Sequence, residues 1–167
     1  MASCCSQPSC QDAVPSGELV IALAGNPNSG KTTVFNALTG LRHKVANYPG
    51  VTVEKKTGQA KLPDGRRATI IDLPGTYSLI SRSPDELVAM QVIRGLRPDT
   101  PPPDAVVVVL DASNLQRNLY LVSQIIELQK PMVIALNMMD VAERRGLRVD
   151  AAELGRQLGV PVIPLVG

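Results

Sequence analysis

The segment Gly-Asn-Pro-Asn-Ser-Gly-Lys-Thr at residues 25–32 constrains the fold of this chain more than any other. It fits the phosphate-binding pattern G-x-x-x-x-G-K-[ST]. An apolar run at 19–24 precedes it and is typical of a strand, and residues 33–38 after it are typical of a helix. A strand, a glycine-containing loop and a helix in this order are the context in which the pattern is credible. The segment therefore predicts a bound nucleoside triphosphate, and by itself leaves the base and the purpose open.

Each part of this loop has a physical role in holding phosphate. Glycines let the backbone wrap closely, with its N–H groups turned inward, and the helix N-terminus adds partial positive charge. Lys31 supplies a cation for the β and γ phosphates, and the hydroxyl of Thr32 is placed to bind Mg²⁺. We therefore expect the nucleotide to contact the whole loop: Gly25, Asn26, Pro27, Asn28, Ser29, Gly30, Lys31 and Thr32.

Composition argues against nucleic-acid binding and against a membrane span. The 167 residues suit one domain, with 44% hydrophobic and 19% charged residues. A net charge of +2, one Phe, three Tyr and no Trp leave neither a strong basic field nor a base-stacking surface. No apolar run approaches the ~20 residues that cross a bilayer. We expect no nucleic-acid partner, and any membrane part lies outside this sequence.

Residues 1–17 are rich in Ser, Gln, Pro and Cys and show no periodicity, so we interpret them as a flexible tail. They hold all three cysteines, Cys4, Cys5 and Cys10. A metal or redox role is an alternative, although the spacing is not a standard zinc pattern and no histidine accompanies it. The tail lacks the basic start and apolar stretch of a signal peptide. A body free of cysteine fits a reducing cytoplasm.

Strand and helix patterns alternate from residue 18 onward, which predicts an α/β fold with a mostly parallel sheet and helices on both faces. An Asp-Gly turn at 64–65 predicts a hairpin, and hence an antiparallel pair at the sheet edge. No clear period marks 41–51, so we expect a loop there. Predicted strands cover 18–24, 53–62, 67–72, 105–110, 132–136 and 160–166, and predicted helices cover 31–39, a segment to about residue 94, the region of 115–126 and a segment opening at 150. We expect Ser83 to be the N-cap of the second helix and Asp150, with Glu153 in a capping box, to be the N-cap of the last.

Asp72-Leu73-Pro74-Gly75 follows a buried strand, at the edge where the phosphate loop also lies. A carboxylate there can hold Mg²⁺ through water, and Gly75 has no side chain to keep its backbone from a γ phosphate. The D-x-x-G pattern alone is common in proteins. Its position at this distance after the phosphate loop makes it more specific for a nucleotide site. In the alternative interpretation, Asp72 only caps a turn.

Asn137-Met138-Met139-Asp140 follows another buried strand. In this N-x-x-D pattern an aspartate accepts hydrogen bonds from N1–H and the 2-amino group of guanine. Adenine would face the carboxylate with an acceptor, so such a site rejects it. We expect Asn137, Met138 and Asp140 to form a guanine pocket. Alternatively, Asp140 is the N-cap of a short helix that runs through Arg145.

The loop at 41–51 leads to Thr52, whose hydroxyl suits a switch that closes on Mg²⁺ and the γ phosphate and relaxes after hydrolysis. Spacing alone is equally consistent with a threonine that starts a strand. His43, the only histidine, and Lys44 also lie in this loop, and we expect His43 to be exposed.

The order of these motifs matches the small G proteins, and the chain more closely resembles the cytosolic G domain of the FeoB family of bacterial ferrous iron transporters. The resemblance covers about residues 19–166. It rests on the phosphate-loop region 25–36 and on Asn-Tyr-Pro-Gly-Val-Thr-Val-Glu (47–54), Asp-Leu-Pro-Gly-Thr-Tyr-Ser-Leu (72–79), Asp-Ala-Ser-Asn-Leu-Gln-Arg-Asn-Leu-Tyr-Leu (111–121) and Asn-Met-Met-Asp (137–140).

This resemblance implies a P-loop NTPase with a Ras-like G domain, whose mostly parallel six-stranded sheet has one antiparallel edge strand. It implies a slow GTPase that binds GTP or GDP with Mg²⁺ and regulates Fe(II) transport at the cytoplasmic face of the bacterial inner membrane. Its partner would be a membrane transporter domain, and a homo-oligomer is compatible with the sequence. Residues 18–167 would be a G domain cut before or at its last guanine-binding loop, with no helical or transmembrane domain in the chain.

The resemblance also implies roles for individual residues. Thr33 joins the phosphate site, Thr52 is the switch I threonine, and Asp72 with Gly75 form the switch II pair. Asn28 matches an asparagine that helps bind K⁺ in potassium-stimulated members, together with carbonyls near Ala46 and Tyr48. The implied catalytic residues are thus Lys31, Thr52 and Gly75, the Mg²⁺ ligands Thr32, Thr52 and Asp72, and the K⁺ ligand Asn28.

Two positions depart from the common G-protein pattern. Thr76 stands where Ras-like proteins carry the glutamine that orients the attacking water, a feature that FeoB-type sequences share. Gly167 stands where the last base-binding loop usually has a serine, which predicts weaker guanine affinity or faster GDP release. Two alternatives stay open: a ribosome- or tRNA-associated GTPase, and a nucleotide sensor with negligible turnover.

Overall fold

A computed structural model describes residues 18–80 and 82–165. The tail with Cys4, Cys5 and Cys10, and the expectation for Gly167, lie outside the described residues. Within them, seven strands form one sheet in the order β2-β3-β4-β1-β5-β6-β7. The strands are β1 Leu19–Gly25, β2 His43–Asn47, β3 Glu54–Lys61, β4 Arg67–Asp72, β5 Ala105–Asp111, β6 Met132–Asn137 and β7 Val162–Pro164.

The sheet is parallel through its centre and antiparallel at one side. β1 runs parallel to β4 and β5, and β5, β6 and β7 continue in the same direction. β3 runs antiparallel to both β4 and β2. The Asp-Gly turn between β3 and β4 is closed by the backbone, since the Leu62 N–H donates to the Arg66 carbonyl at 2.8 Å and the Gly65 N–H donates to the Leu62 carbonyl at 2.9 Å. Within the turn, the Arg66 N–H donates to Asp64 Oδ1 at 3.0 Å. The mostly parallel sheet and the predicted hairpin are therefore confirmed.

The seventh strand, β2, lies in the segment that the sequence predicts to be a loop, so the expected count of six strands is too low by one. All five residues of β2 are exposed, and the strand is held by backbone pairing with β3, as at Val45 and Lys56. A strand without a buried face shows no alternation of apolar and polar residues. The sequence therefore contains no periodic signal for it.

In the part of the chain that the structure describes, five helices join the strands: α1 Lys31–Thr39, α2 Pro84–Arg94, α3 Leu115–Glu127, α4 Met139–Arg144 and α5 Ala151–Leu158. The predicted N-caps are confirmed, because the Ser83 side chain accepts from the Glu86 N–H and the Asp150 side chain accepts from the Ala152 and Glu153 N–H groups. A 3₁₀ turn, Ala112–Asn114, precedes α3.

Two apolar clusters cover the two faces of the sheet. Alternation along β1 turns Ala22 and Ala24 to one face, where they join a cluster that includes residues of α2 and α3. It turns Leu23 to the other face, where Phe35 of α1 packs. The expectation of helices on both faces is therefore confirmed. No helix within 18–80 and 82–165 is long and apolar enough to cross a bilayer.

Candidate functional site

The predicted site residues follow strands that end at one edge of the parallel sheet. In register, Leu23 of β1 lies beside Asp72 of β4, Gly25 lies beside Val109 of β5, and Asp111 lies beside Asn137 of β6. The carboxyl ends of parallel strands are where open α/β sheets bind ligands. The topology thus places the phosphate loop, the D-x-x-G segment and the N-x-x-D segment along a common edge.

The phosphate loop takes a conformation that depends on its glycine at position 30. Gly30 has φ 86°, in the left-handed region, and α1 begins at the next residue, Lys31. The side-chain amide of buried Asn137 donates to the Ser29 carbonyl at 3.1 Å. A Cβ added at Gly30 would overlap that amide nitrogen. Asn137 therefore braces the loop from β6, and Gly30 leaves the space that the brace occupies.

A cleft of about 310 Å³ brings together Thr32, Thr52 and Asp72, which are predicted to hold Mg²⁺, and Lys31, which is predicted to contact the phosphates. The Lys31 ammonium pairs with the Asp72 carboxylate, and both side chains are largely buried. Two hydroxyls and one carboxylate are hard oxygen donors that suit Mg²⁺, which usually takes its other ligands from water and substrate phosphates. The residues fit the ion, provided that Lys31 releases the Asp72 oxygen.

A second cleft of about 430 Å³ lies along the loop itself and brings Gly75 and Met138 beside it. A Cβ at Gly75 would stand 3.1 Å from the Cα of Pro27, which is tighter than a normal contact. The loop residues that line this cleft are Asn26, Pro27, Asn28, Gly30, Lys31 and Thr32. Thr33 is exposed in the first turn of α1, and neither cleft includes it among its lining residues.

Thr76 is turned inward. Its side chain is only 3% exposed, and its N–H donates to the Gly25 carbonyl at 3.1 Å. The residue after D-x-x-G is thus held against the base of the phosphate loop.

Asp140 and Asn137, both predicted to read guanine, lie in different surroundings. Asn137 is buried against the phosphate loop, whereas Asp140 is 58% exposed and pairs with Arg144 one helical turn later. Asp140 lines a separate cavity of about 530 Å³ with Met139, Leu147 and Leu165. The N-cap of α4 is Met138, with φ 59° and no side-chain cap bond. Asp140 is therefore not an N-cap, and its carboxylate is engaged by an exposed arginine.

The groups expected to bind K⁺ are not all on one cleft. Asn28 is exposed, has φ 65° and lines the cleft along the loop. Ala46 pairs with Lys55 in the β2–β3 ladder, and Tyr48 is buried at the start of the following turn. Neither Ala46 nor Tyr48 is among the residues that line the cleft of Asn28.

Contacts from α3 hold the segment after Gly75, and the sequence analysis missed them. The guanidinium carbon of Arg117 lies 3.9 Å from the centre of the Tyr77 ring, and Gln124 Oε1 accepts from the Leu79 N–H at 2.7 Å. The carbonyl of Arg117 also accepts from the Asn26 side-chain amide at 3.4 Å. Arg117 and Gln124 are seven residues apart and so share one face of the helix. The seven-residue spacing of these two polar residues was the signal available in the sequence, because it places both of them beside the apolar face of α3.

A family model described as "Ferrous iron transport protein B" matches residues 19–167. The Fe(2+) transporter FeoB of Escherichia coli (strain K12) is 51% identical over 153 residues, which cover 89% of this chain and 19% of that protein. The Fe(2+) transporter FeoB of Salmonella typhimurium matches with the same identity and the same shares. The chain thus spans about a fifth of the length of these curated relatives.

Solved structures of the same family share the fold. The cytosolic domain of L. pneumophila FeoB has a TM-score of 0.79 and 51% identity, covering 87% of this chain and 56% of that one. The G domain of the T. maritima FeoB iron transporter has a TM-score of 0.77 and 43% identity, covering 89% and 87%. An S. thermophilus NFeoB mutant bound to GDP has a TM-score of 0.78 and 46% identity, covering 88% and 55%. The fold is therefore that of a G domain with a phosphate-binding loop.

Proposed function

We propose that this chain, which belongs to the ferrous iron transport protein B family, binds GTP and GDP and hydrolyses GTP as a regulatory G domain. The observation that carries the proposal is one cleft lined by Lys31, Thr32, Thr52 and Asp72 at the carboxyl edge of the sheet. These are the groups that phosphate and Mg²⁺ require. The related structure with bound GDP supports the choice of nucleotide.

Hydrolysis needs little covalent chemistry from the protein. Water attacks the γ phosphorus, and the bond from that atom to the β–γ bridging oxygen breaks. The electron pair of this bond stays with GDP, the leaving group. The other products are inorganic phosphate and a proton. Lys31 balances charge on the β and γ phosphates, while the Gly75 backbone lies beside the loop where the γ phosphate would sit. Bound Mg²⁺ would neutralise charge on the same oxygens, held by Thr32, Thr52 and, through water, Asp72.

Guanine selection falls to Asp140. Its two carboxylate oxygens can accept both donors on the guanine edge, provided that the exposed ion pair with Arg144 opens. Such a surface pair is worth only about 0–1 kcal/mol, so its loss is a small cost. Asn137 supports the site indirectly, by bracing the phosphate loop through the Ser29 carbonyl. Met138 lies between Asn137 and Asp140 in the chain and lines the cleft along the phosphate loop, so it forms part of the wall of the site.

A potassium ion beside the phosphates is the finer part of the proposal. Asn28 supplies its side-chain oxygen from the loop, and backbone carbonyls near Ala46 and Tyr48 complete the ligand set after the segment before Thr52 closes. A cation there would stabilise charge that develops between the β and γ phosphates, as an arginine finger does. Support comes from the exposed position of Asn28 on the cleft that also contains Gly75.

The domain would act in a longer protein. This chain spans 19% of its curated relatives, which are Fe(2+) transporters. We propose that its nucleotide state regulates Fe(II) passage through a membrane transporter domain, and that it works at the cytoplasmic face of the bacterial inner membrane. Fe(II) is then the cargo of the transporter domain.

The buried side chain of Thr76 favours a second candidate, a nucleotide sensor with negligible turnover. Phosphate release from GTP, measured with Mg²⁺ in KCl or NaCl beside the GDP release rate, separates the two. We expect slow turnover that is faster in K⁺, and we expect Asn28→Ala to remove the K⁺ effect while GDP still binds. Lys31→Ala should abolish turnover. Tight GTP binding without phosphate release would favour the sensor, and absence of guanine-nucleotide binding would overturn both.

A further inference from the structure

Tyr48 lies between two cations at the entrance to the turn that carries Thr52. Its side chain is 1% exposed, although it follows the fully exposed strand β2. The guanidinium carbon of Arg97 stands 5.0 Å from the ring centre, and the ammonium of Lys55 stands 5.5 Å from it. Both distances are within the range of cation–π attraction. We call Tyr48, Lys55, Arg97 and Asp99 the Tyr48 anchor.

Arg97 connects three parts of the chain through its guanidinium. It donates to the Pro49 carbonyl at 3.2 Å, to Gln91 Oε1 of α2 at 3.1 Å and to Asp99 Oδ1 at 2.8 Å. Its planar fork of donors makes this possible, whereas a lysine offers one point of charge. One side chain thus joins the turn before Thr52, helix α2 and the connection between α2 and β5.

Lys55 ties the other end of the same turn to that connection. Its ammonium donates to the Asp99 carbonyl and to Thr100 Oγ1, both at 2.7 Å. Burial lowers the pKa of Lys55, while nearby Asp99 acts in the opposite direction. The two cations therefore share Asp99, which keeps them close together over the Tyr48 ring.

The turn between the two anchored ends is tight, and Thr52 is inside it. The Tyr48 N–H donates to the Val53 carbonyl at 2.9 Å, and the Val51 N–H donates to the Tyr48 carbonyl at 3.3 Å. Thr52 itself is exposed and lines the cleft with Lys31, Thr32 and Asp72. In this conformation both ends of the turn are held, and Thr52 lies on the cleft.

We infer that Arg97 is a positioning residue for GTP hydrolysis. Through the Tyr48 anchor it holds the turn of Thr52 against α2 and the α2–β5 connection, and so stabilises the conformation in which Thr52 lines the cleft. The inference rests on the proposed function, because it assigns to Thr52 a place at the γ phosphate and Mg²⁺.

Arg97→Ala tests this, with Arg94→Ala as the matched control, since Arg94 is exposed and lies at the end of α2. We expect Arg97→Ala to lower kcat for GTP about 10-fold, because a displacement of about 1 Å in a positioned group can cost up to about 100-fold. GDP affinity should not change, because GDP lacks the γ phosphate. Arg97→Lys keeps a cation over the ring and should lose less. Arg94→Ala should behave like the parent protein.

A double variant, Arg97→Ala in a Thr52→Ala protein, distinguishes a positioning role of Arg97 from a general loss of stability. If Arg97 acts through Thr52, Arg97→Ala should have no further effect on kcat in a Thr52→Ala protein, whereas independent effects would multiply. Equal kcat for Arg97→Ala and Arg94→Ala, or multiplicative losses in the double variant, would overturn the inference while the proposed function stands. A parent protein without GTP turnover would instead overturn the proposed function, and this inference with it.

Discussion

At the scale of single residues, the contact between Gly30 and Asn137 links the phosphate loop to the strand that leads to the base-reading segment. Asn137 reaches across to the Ser29 carbonyl, and only a residue without a Cβ leaves room for its amide. Asn137 therefore acts on the phosphate loop from a buried position. The same amide that marks the N-x-x-D pattern fixes the shape of the phosphate loop.

Replacing Gly30 tests this link, and Gly40 supplies the control. Both have positive φ, 86° and 61°, but a Cβ at Gly40 meets no atom within 4 Å. Left-handed backbone at a residue with a side chain costs about 1–3 kcal/mol. Gly40→Ala should lose about that much in urea unfolding and still bind GDP. Gly30→Ala should lose more and bind GDP much more weakly, and equal behaviour of the two variants would contradict the link.

Asp140 can be tested by changing one oxygen of its side chain. Asp140→Asn replaces one acceptor by a donor, which suits the 2-carbonyl of xanthine instead of the 2-amino group of guanine. We expect the GTP-to-XTP affinity ratio to fall by about 100-fold or more, as for sites that read a hydrogen-bonding edge. Nucleotide competition measures this ratio. Glu143→Gln, an exposed change on the same cavity, should leave it unaltered, and an unaltered ratio in Asp140→Asn would refute the role.

At the scale of elements, the N-cap of α2 supports the helix to which Arg97 is attached. The Ser83 hydroxyl oxygen accepts from the Glu86 N–H at 3.2 Å, and Pro84 occupies the first turn. Ser83→Ala should lower the free energy of unfolding by about 1 kcal/mol, because the cap bond has no substitute. Denaturant titration measures the loss. Ser123→Ala lies on an exposed part of α3 and should cost nothing, since serine inside a helix is less favourable than alanine.

Elements with a local signal were the ones that the sequence could predict. The Ser83 cap, the Asp150 cap and the Asp64-Gly65 turn each depend on a few neighbouring residues, and all three are confirmed. The valine-rich β5 was equally clear, because a strand buried on both faces is a continuous apolar run. β2 was missed because its pairing with β3 is made by the backbone alone and leaves every side chain exposed.

Contacts between distant segments could not be predicted from the same patterns. The motifs placed Lys31, Thr32, Thr52 and Asp72 near one sheet edge, and the structure brings them to one cleft. Arg97 lies in a proline-containing connection that the sequence marks only as a surface segment, and nothing local pairs it with Tyr48, 49 residues earlier by number. Such a contact depends on the order of strands, which places the turn of Thr52 beside the end of α2.

At the scale of the whole molecule, the site joins segments that lie far apart in the sequence. The phosphate loop follows β1, Thr52 lies between β2 and β3, Asp72 ends β4 and Asp140 follows β6. A ligand that contacts all of these regions stabilises the folded protein and not the unfolded chain, in which they are dispersed. Nucleotide binding should therefore be visible in global stability.

Thermal unfolding with added nucleotide measures this coupling. A ligand at 100 times its Kd adds about 2.7 kcal/mol of stability. In a domain of this size that raises Tm by about 5–10 °C, since each kcal/mol shifts Tm by about 2–4 °C. We expect GDP with Mg²⁺ to give such a shift and ATP to give none, because the Asp140 carboxylate meets an acceptor on adenine. Lys31→Ala should reduce the GDP shift, whereas Lys130→Ala, far along the sheet from the phosphate loop, should not. Equal shifts with GDP and ATP would show that the phosphate loop binds nucleotide without selecting its base.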